Sequence, residues 1–153
     1  MFLYLMRHAT AFNKEEDPNR SLNEQGREEA TKVAAFLKEK HISFSNIFHS
    51  PITRSMETAH IIAKTLNITE VQLLAPLDAD FPVQSLVQAI DQLESDCLLV
   101  GHLPNIEHVF NAYLSGTYYN AIIDFPPATL GCFRKESNRW ILQWLINPKL
   151  LGA

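Results

Sequence analysis

The sequence predicts an α/β fold, a single three-layer domain in which helices cover both faces of a mostly parallel central sheet. Short apolar runs typical of buried strands alternate with longer segments whose apolar residues recur at helical spacing. Near the C-terminus, two strand-like runs separated by five polar residues indicate an antiparallel hairpin. The chain has 153 residues, of which 46% are hydrophobic, and this is enough for one core, so residues 1–153 are expected to form one domain.

The predicted strands alternate with four predicted helices. We expect strands at residues 2–6, 46–49, 71–74 and 97–101, and hairpin strands at 129–134 and 140–145. The first helix should begin with Asn23 as N-cap and end near residues 40–41. Ser50 before Pro51 predicts the start of a second helix, with Met56 on its apolar face. Two further helices are expected around residues 86–93 and 106–114.

Composition excludes several classes of function. A net charge of -4 argues against broad nucleic-acid binding, which needs a cationic surface. No apolar run approaches the roughly 20 residues that a membrane helix needs. Cys97 and Cys132 lack metal-type spacing and are expected to be reduced core thiols. The N-terminal apolar run is too short for a signal peptide, so the expected compartment is the cytoplasm. Trp140 and Trp144 are four residues apart on one strand, which predicts that both lie on the same face in the core.

Charged and nucleophilic side chains follow three of the predicted strands. Arg7 and His8 come directly after the first, Arg54 lies just inside the helix after the second, and His102 follows the fourth. Because the carboxyl ends of parallel strands meet at one edge of a sheet, we expect these four residues to converge. So many cationic groups in one crevice would repel one another without an anion between them. The pattern therefore predicts a phosphate site.

Histidine at such a site predicts covalent catalysis. The unprotonated ring nitrogen of one histidine can attack phosphorus, while Arg7, Arg54 and the other histidine hold the phosphoryl oxygens. Helix N-termini after Ser50 and after residue 103 would add backbone N–H donors. Water would then release phosphate. No metal or other cofactor is expected, because side chains already supply the positive charge.

Three further residues are candidates for supporting roles. Arg20, in the loop at 13–20, is either another phosphate contact or a charge on the rim. Asp78 and Asp80 follow the third strand, where either one could donate a proton to a leaving group; the alternative is that one caps the next helix and the other is solvated. Only the loops at 13–20 and 75–82 are available to cover the site, which predicts an open, shallow pocket.

Four segments together resemble the motifs of the histidine phosphatase superfamily, in that family's order. They are LMRHA at 5–9, LNEQGREEA at 22–30, SPITRSMETA at 50–59 and VGHLP at 100–104. The resemblance is to the phosphoglycerate-mutase-like group and, given the short chain, to its compact SixA-like phosphohistidine phosphatases. It implies that His8 is the nucleophile and that Arg7, Arg54 and His102 form the phosphate pocket. Ala9 replaces the glycine of the mutases, and the chain has no room for the helical insertion that carries a glutamate proton donor in larger relatives.

Three hypotheses for function follow from the residues and the resemblance together. The leading hypothesis is a phosphatase acting through phospho-His8 on a phosphohistidine of another protein. The second is a phosphomonoesterase or mutase of the same fold acting on a small phosphomonoester. The third is a module that binds phosphorylated protein without hydrolysing it. All three leave the oligomeric state open, and none involves nucleic acid or a membrane.

Overall fold

The computed structural model describes residues 1–152, in which one six-stranded sheet has the order β3-β2-β4-β1-β5-β6. The strands are β1 Phe2–Arg7, β2 Asn46–His49, β3 Val71–Leu73, β4 Cys97–Gly101, β5 Leu130–Glu136 and β6 Arg139–Ile146. The first four strands are mutually parallel, whereas β5 runs antiparallel to β1 and β6 antiparallel to β5. The predicted mostly parallel sheet with a C-terminal antiparallel hairpin is confirmed.

Helices cover both faces of this sheet. They are α1 Glu24–Glu39, α2 Thr53–Leu66, α3 Val83–Asp91 and α4 Asn105–Ser115. One apolar cluster joins α1 and α2 to the sheet, and a second joins α3 and α4 to its other face. Cys97 and Cys132 are buried free thiols in these clusters, as predicted. Within residues 1–152, none of the helices combines the length and the apolar character needed to cross a membrane.

The N-terminus of α1 packs directly against the chain that follows β1. The Asn23 side chain accepts a hydrogen bond from the Gly26 N–H at 2.8 Å, which confirms Asn23 as the N-cap. A Cβ built on Gly26 would lie 1.8 Å from the Thr10 carbonyl oxygen. Only glycine therefore allows α1 to come this close to the loop behind His8.

The start of α2 differs from the prediction. The helix begins at Thr53, and no side chain caps it, whereas Ser50 is fully buried with no hydrogen-bond partner for its hydroxyl among the described residues. The reason is that the Ser50 N–H donates to the Val100 carbonyl at 3.1 Å and so continues the pairing of β2 with β4. Met56 is 39% exposed, so the prediction that it lies on the apolar face of α2 is wrong. The buried side chain at this end of α2 is that of the neighbouring Ser55.

The two tryptophans of β6 lie on opposite faces of the sheet, so the prediction of a shared face is wrong. The register of β5 and β6 shifts at a β-bulge that leaves Gln143 as an extra residue in β6. An extra residue reverses the alternation of side chains beyond it. Trp140 consequently packs near Tyr113 of α4, with ring centroids 5.9 Å apart, while Trp144 packs near Tyr4, at 6.0 Å, on the face of α1 and α2.

Candidate active site

The residues predicted to converge lie at the carboxyl ends of three neighbouring parallel strands. In the sheet, β4 lies between β2 and β1. Arg7 is the last residue of β1 and His8 follows it, His102 follows β4, and Arg54 is in the first turn of α2 beyond β2. Sheet topology thus brings to one edge residues that are up to 95 positions apart in sequence, from Arg7 to His102.

His8 is held in one orientation, with the lone pair of one ring nitrogen directed at Arg54. Its backbone N–H donates to the Gly101 carbonyl at 2.9 Å, and its carbonyl accepts from the Ala128 N–H at 3.0 Å. The ring Nδ1 lies 2.7 Å from the Ala9 carbonyl oxygen. Because a carbonyl can only accept, Nδ1 carries the hydrogen and Nε2 carries the lone pair. The Arg54 Nε–H donates to that lone pair at 3.1 Å, which requires the same tautomer.

The surroundings of His8 keep its ring neutral. The pKa of His8 is lowered to about 3, mainly by burial and in addition by Arg54, Arg7 and the neighbouring His102, against an opposing contribution from the hydrogen bond to Ala9. The side chain is 6% exposed, consistent with this loss of hydration. At neutral pH the ring is therefore in the form that can attack an electrophile.

Arg7 is positioned by the segment before β5. Its Nη1–H donates to the Phe125 carbonyl at 2.9 Å, and its backbone N–H donates to the Thr129 carbonyl at 3.0 Å. The Nε atom is buried and has no partner among the described residues. Burial lowers the pKa of Arg7, an effect opposed by the charges of Glu107 and other nearby carboxylates. The guanidinium is thus fixed in place with donors left for a ligand.

His102 has one buried ring nitrogen with no partner among the described residues. It is 9% exposed, and its Nε2 is buried and makes no hydrogen bond within residues 1–152. Burial lowers the pKa of His102, as does the charge of Arg54, whereas the carboxylates of Asp78 and Asp80 act in the opposite direction. His102 Nε2 can donate a hydrogen bond to a phosphoryl oxygen when it carries a hydrogen, which a bound anion favours.

The remaining candidates lie around these four residues. Arg20 adopts φ +49° and donates from Nε to the Phe12 carbonyl at 2.9 Å. Its charge is among the causes that lower the pKa values of Arg7 and Arg54, so Arg20 lies within electrostatic range of both. Asp78 accepts from the Asp80 N–H at 3.2 Å and so supports a turn in its own loop.

Thr58 is a contributor to the site that the sequence prediction missed. Its fully buried hydroxyl accepts from the Ala9 N–H at 3.0 Å and donates to the Arg54 carbonyl at 2.8 Å. It therefore ties the residue after His8 to the helical turn that carries Arg54. The available signal was a polar residue one helical turn after Arg54 and next to the apolar position Ala59.

Together these groups form a neutral nucleophile surrounded by cationic donors. The lone pair of His8 Nε2 faces Arg54, and the Arg7 guanidinium and the His102 ring add donors from two further chain segments. Such an arrangement matches a tetrahedral phosphoryl group, whose oxygens accept several charge-assisted hydrogen bonds at once.

Comparison with solved structures identifies this fold. The protein histidine phosphatase SixA in complex with tungstate has a TM-score of 0.83 and 22% identity, with 99% of this chain and 100% of that chain covered. A phosphohistidine phosphatase SixA assigned as putative, from Agrobacterium tumefaciens, has a TM-score of 0.80 and 25% identity, covering 96% and 97%. A phosphoserine phosphatase of Entamoeba histolytica in complex with phosphoserine has a TM-score of 0.70 and 17% identity, covering 97% and 98%.

Comparison at the level of sequence gives the family. No curated protein sequence matches the chain significantly. The sequence model of the histidine phosphatase superfamily (branch 1) matches residues 3–79, a segment that contains Arg7, His8 and Arg54. Similarity to SixA extends over the full length of both chains, so this chain has the same compact form of the fold. The chain belongs to the histidine phosphatase superfamily.

Proposed function

We propose that this protein is a phosphohistidine phosphatase that removes the phosphoryl group from a histidine of another protein through a covalent phospho-His8 intermediate. The observation that carries the proposal is the state of His8. The ring is neutral, its hydrogen is held on Nδ1 by the Ala9 carbonyl, and its Nε2 lone pair points to Arg54. A nucleophile prepared in this way needs no further base.

The first step transfers the phosphoryl group to His8. The Nε2 lone pair attacks phosphorus in line as the P–N bond of the substrate breaks, and the bonding electrons return to the substrate ring nitrogen. If the other nitrogen of that ring is protonated, the leaving group is a neutral imidazole. Arg54, which donates to Nε2 at 3.1 Å before substrate binds, turns to the phosphoryl oxygens, where Arg7 and His102 also donate.

The second step returns His8 to its starting form. Phospho-His8 retains the hydrogen on Nδ1, so its ring is positively charged, and the Ala9 carbonyl at 2.7 Å stabilises this charge. Water attacks phosphorus, the Nε2–P bond breaks, and its electrons return to Nε2. The proton from water passes to the released phosphate or to solvent. The neutral tautomer inferred from the hydrogen bonds of His8 is therefore also the product of hydrolysis.

Side chains supply the charge stabilisation in both steps, so we propose a metal-independent mechanism. Arg7, Arg54 and His102 converge on the site from separate segments, and Arg20 lies within electrostatic range as a further phosphate contact. Each guanidinium places positive charge where the transferring group carries negative charge.

A second candidate is a phosphomonoesterase for small esters, and one observation favours it. Expelling an alkoxide requires a proton from a positioned acid, and the carboxyls of Asp78 and Asp80 lie within electrostatic range of His102. We favour phosphohistidine, because its leaving group can depart as a neutral imidazole and does not require a fixed acid.

The test compares substrates and traps the intermediate. A protein phosphorylated on histidine with phosphoramidate should be hydrolysed faster than a panel of phosphorylated metabolites. Quenched reactions should contain protein-bound phosphate that is acid-labile and alkali-stable. His8→Ala should abolish both turnover and label, whereas His41→Ala, at an exposed histidine, should leave both unchanged. Turnover that survives His8→Ala would refute the covalent mechanism, and a strong preference for one metabolite would refute the protein substrate. Binding of phosphoprotein without label or turnover would show a non-catalytic module.

A further inference from the structure

The cationic site is surrounded by carboxylates that it does not use to bind phosphate. Asp78 and Asp80 lie within electrostatic range of His102, and Glu107 and Asp124 within range of Arg7. Asp80 and Asp124 are exposed, and the chain as a whole has a net charge of -4. Several carboxylates therefore lie near a cationic site in a chain whose net charge is negative.

Exposed apolar side chains lie on the same loops as Asp80 and Asp124. Phe81 is 40% exposed, Ile122 49% and Tyr119 73%. Phe81 directly follows Asp80, and Ile122 lies two residues before Asp124. Exposed aromatic and aliphatic side chains grouped around a binding site are typical of surfaces that contact another protein.

Hydrogen bonds hold the loop at 78–82 against the start of α4 and the loop after α4 against Arg7. The Asn105 side-chain amide, at the start of α4 and three residues after His102, donates to the carbonyls of Asp78 and Phe81, each at 3.2 Å. The loop after α4 ends at Phe125, whose carbonyl accepts from Arg7.

The middle of the second loop also contacts α4. The Tyr119 ring packs edge-on against the His108 ring of α4, with centroids 4.8 Å apart. His108 is in the first turns of α4, which follow His102. The second loop is therefore held against α4 at Tyr119 and against Arg7 at Phe125.

We infer that the rim formed by Asp80, Phe81, Tyr119, Ile122 and Asp124 is the docking surface for a protein substrate whose phosphohistidine is flanked by basic and apolar side chains. The inference rests on the proposed function and specifies its partner. Basic flanking residues would face Asp80 and Asp124, and apolar ones would pack on Phe81, Tyr119 and Ile122.

The same rim disfavours small polyanionic metabolites. A phosphorylated carboxylic acid carries a second negative charge only a few bonds from its phosphoryl group, where it would face the carboxylates around the pocket. His8 itself is buried, at 6% exposed. A small phosphorylated acid offers little apolar surface to Phe81, Tyr119 and Ile122, whereas a protein can cover all three.

The experiment uses three phosphohistidine probes with the intact protein. Two peptides of equal length carry one phosphohistidine each, flanked in the first by lysine and leucine and in the second by glutamate and serine. The third probe is phosphoimidazole, which has no flanking residues. For wild type we expect kcat/KM for the lysine–leucine peptide to exceed that for the glutamate–serine peptide at least about tenfold, with the preference falling as salt is raised.

Variants of the rim test which side chains produce this preference. The double variant Tyr119→Ser with Ile122→Ser should lower kcat/KM for the lysine–leucine peptide about tenfold relative to phosphoimidazole, through a higher KM. Asp124→Asn should reduce the peptide preference and its salt dependence. Leu150→Ser removes an 80% exposed apolar side chain outside the rim and serves as the matched control. Thermal unfolding of each variant verifies that it is folded.

The outcomes separate the rim from the proposed function. Equal rates on the two peptides, or rim variants that slow peptide and phosphoimidazole alike, would overturn the docking surface while leaving the phosphatase proposal intact. Failure of wild type to hydrolyse any of the three phosphohistidine probes would overturn the proposed function and, with it, the docking surface.

Discussion

Lowering the pH from 7 to 5 should destabilise this protein through His8. In the folded protein the pKa of His8 is lowered to about 3 from the usual value of 6.5, so at pH 5 the folded protein keeps this ring neutral. The unfolded chain takes up a proton there as the pH falls below 6.5. The unfolded state therefore binds more protons than the folded state in this range. The contribution of neutral His8 to stability is fully present above pH 6.5 and is lost as the pH falls towards 3.

The size of the effect follows from the two pKa values. At pH 5 the pH is 1.5 units below the pKa of 6.5 that His8 has in the unfolded chain. Each unit corresponds to about 1.4 kcal/mol. The free energy of unfolding should therefore fall by about 2 kcal/mol between pH 7 and pH 5 on account of His8 alone. His102, whose pKa is also lowered, contributes in the same direction.

Urea unfolding at the two pH values measures this contribution. Wild type and His8→Gln are compared, so that every other titrating group is common to both, and His41→Gln is the control at an exposed histidine. The loss of stability between pH 7 and pH 5 should be about 2 kcal/mol smaller in His8→Gln than in the other two proteins. If all three lose the same amount, His8 is not the buried neutral group on which the proposed mechanism depends.

Three further predictions concern the supports of the site. Thr58→Val leaves a buried backbone N–H unpaired and should cost about 1–3 kcal/mol in urea unfolding and lower kcat, whereas Thr58→Ser should retain both. Gly26→Ala places a Cβ 1.8 Å from a backbone carbonyl oxygen, so the helix must shift, and the free energy of unfolding should fall by about 1–3 kcal/mol. The control Glu28→Ala, on the exposed side of the helix, should have little effect on the melting temperature. Asp78→Ala and Asp80→Ala, singly, should lower kcat/KM for phosphohistidine less than about tenfold, and a hundredfold loss would indicate a fixed general acid.

The sequence alone determined the fold class and the convergence of the main catalytic candidates. The predicted bounds of β2 Asn46–His49 and β4 Cys97–Gly101 are confirmed, because short apolar runs bounded by polar or turn residues report strand burial locally. Once the strands are parallel, residues placed directly after them meet at one edge, so Arg7, His8 and His102 could be predicted together without knowing any distance.

Only the tertiary structure decided features that depend on contacts between distant segments. Ser50 continues the pairing of β2 with β4 instead of capping α2, and a bulge reverses the side-chain alternation between Trp140 and Trp144. The partner of Thr58 is the Ala9 N–H, 49 residues away. Local propensity contains no information about such pairings, because they form when separate elements come into register. For the same reason, only the fold determines which ring nitrogen of His8 carries the lone pair, because it places the Ala9 carbonyl and the Arg54 side chain around the ring.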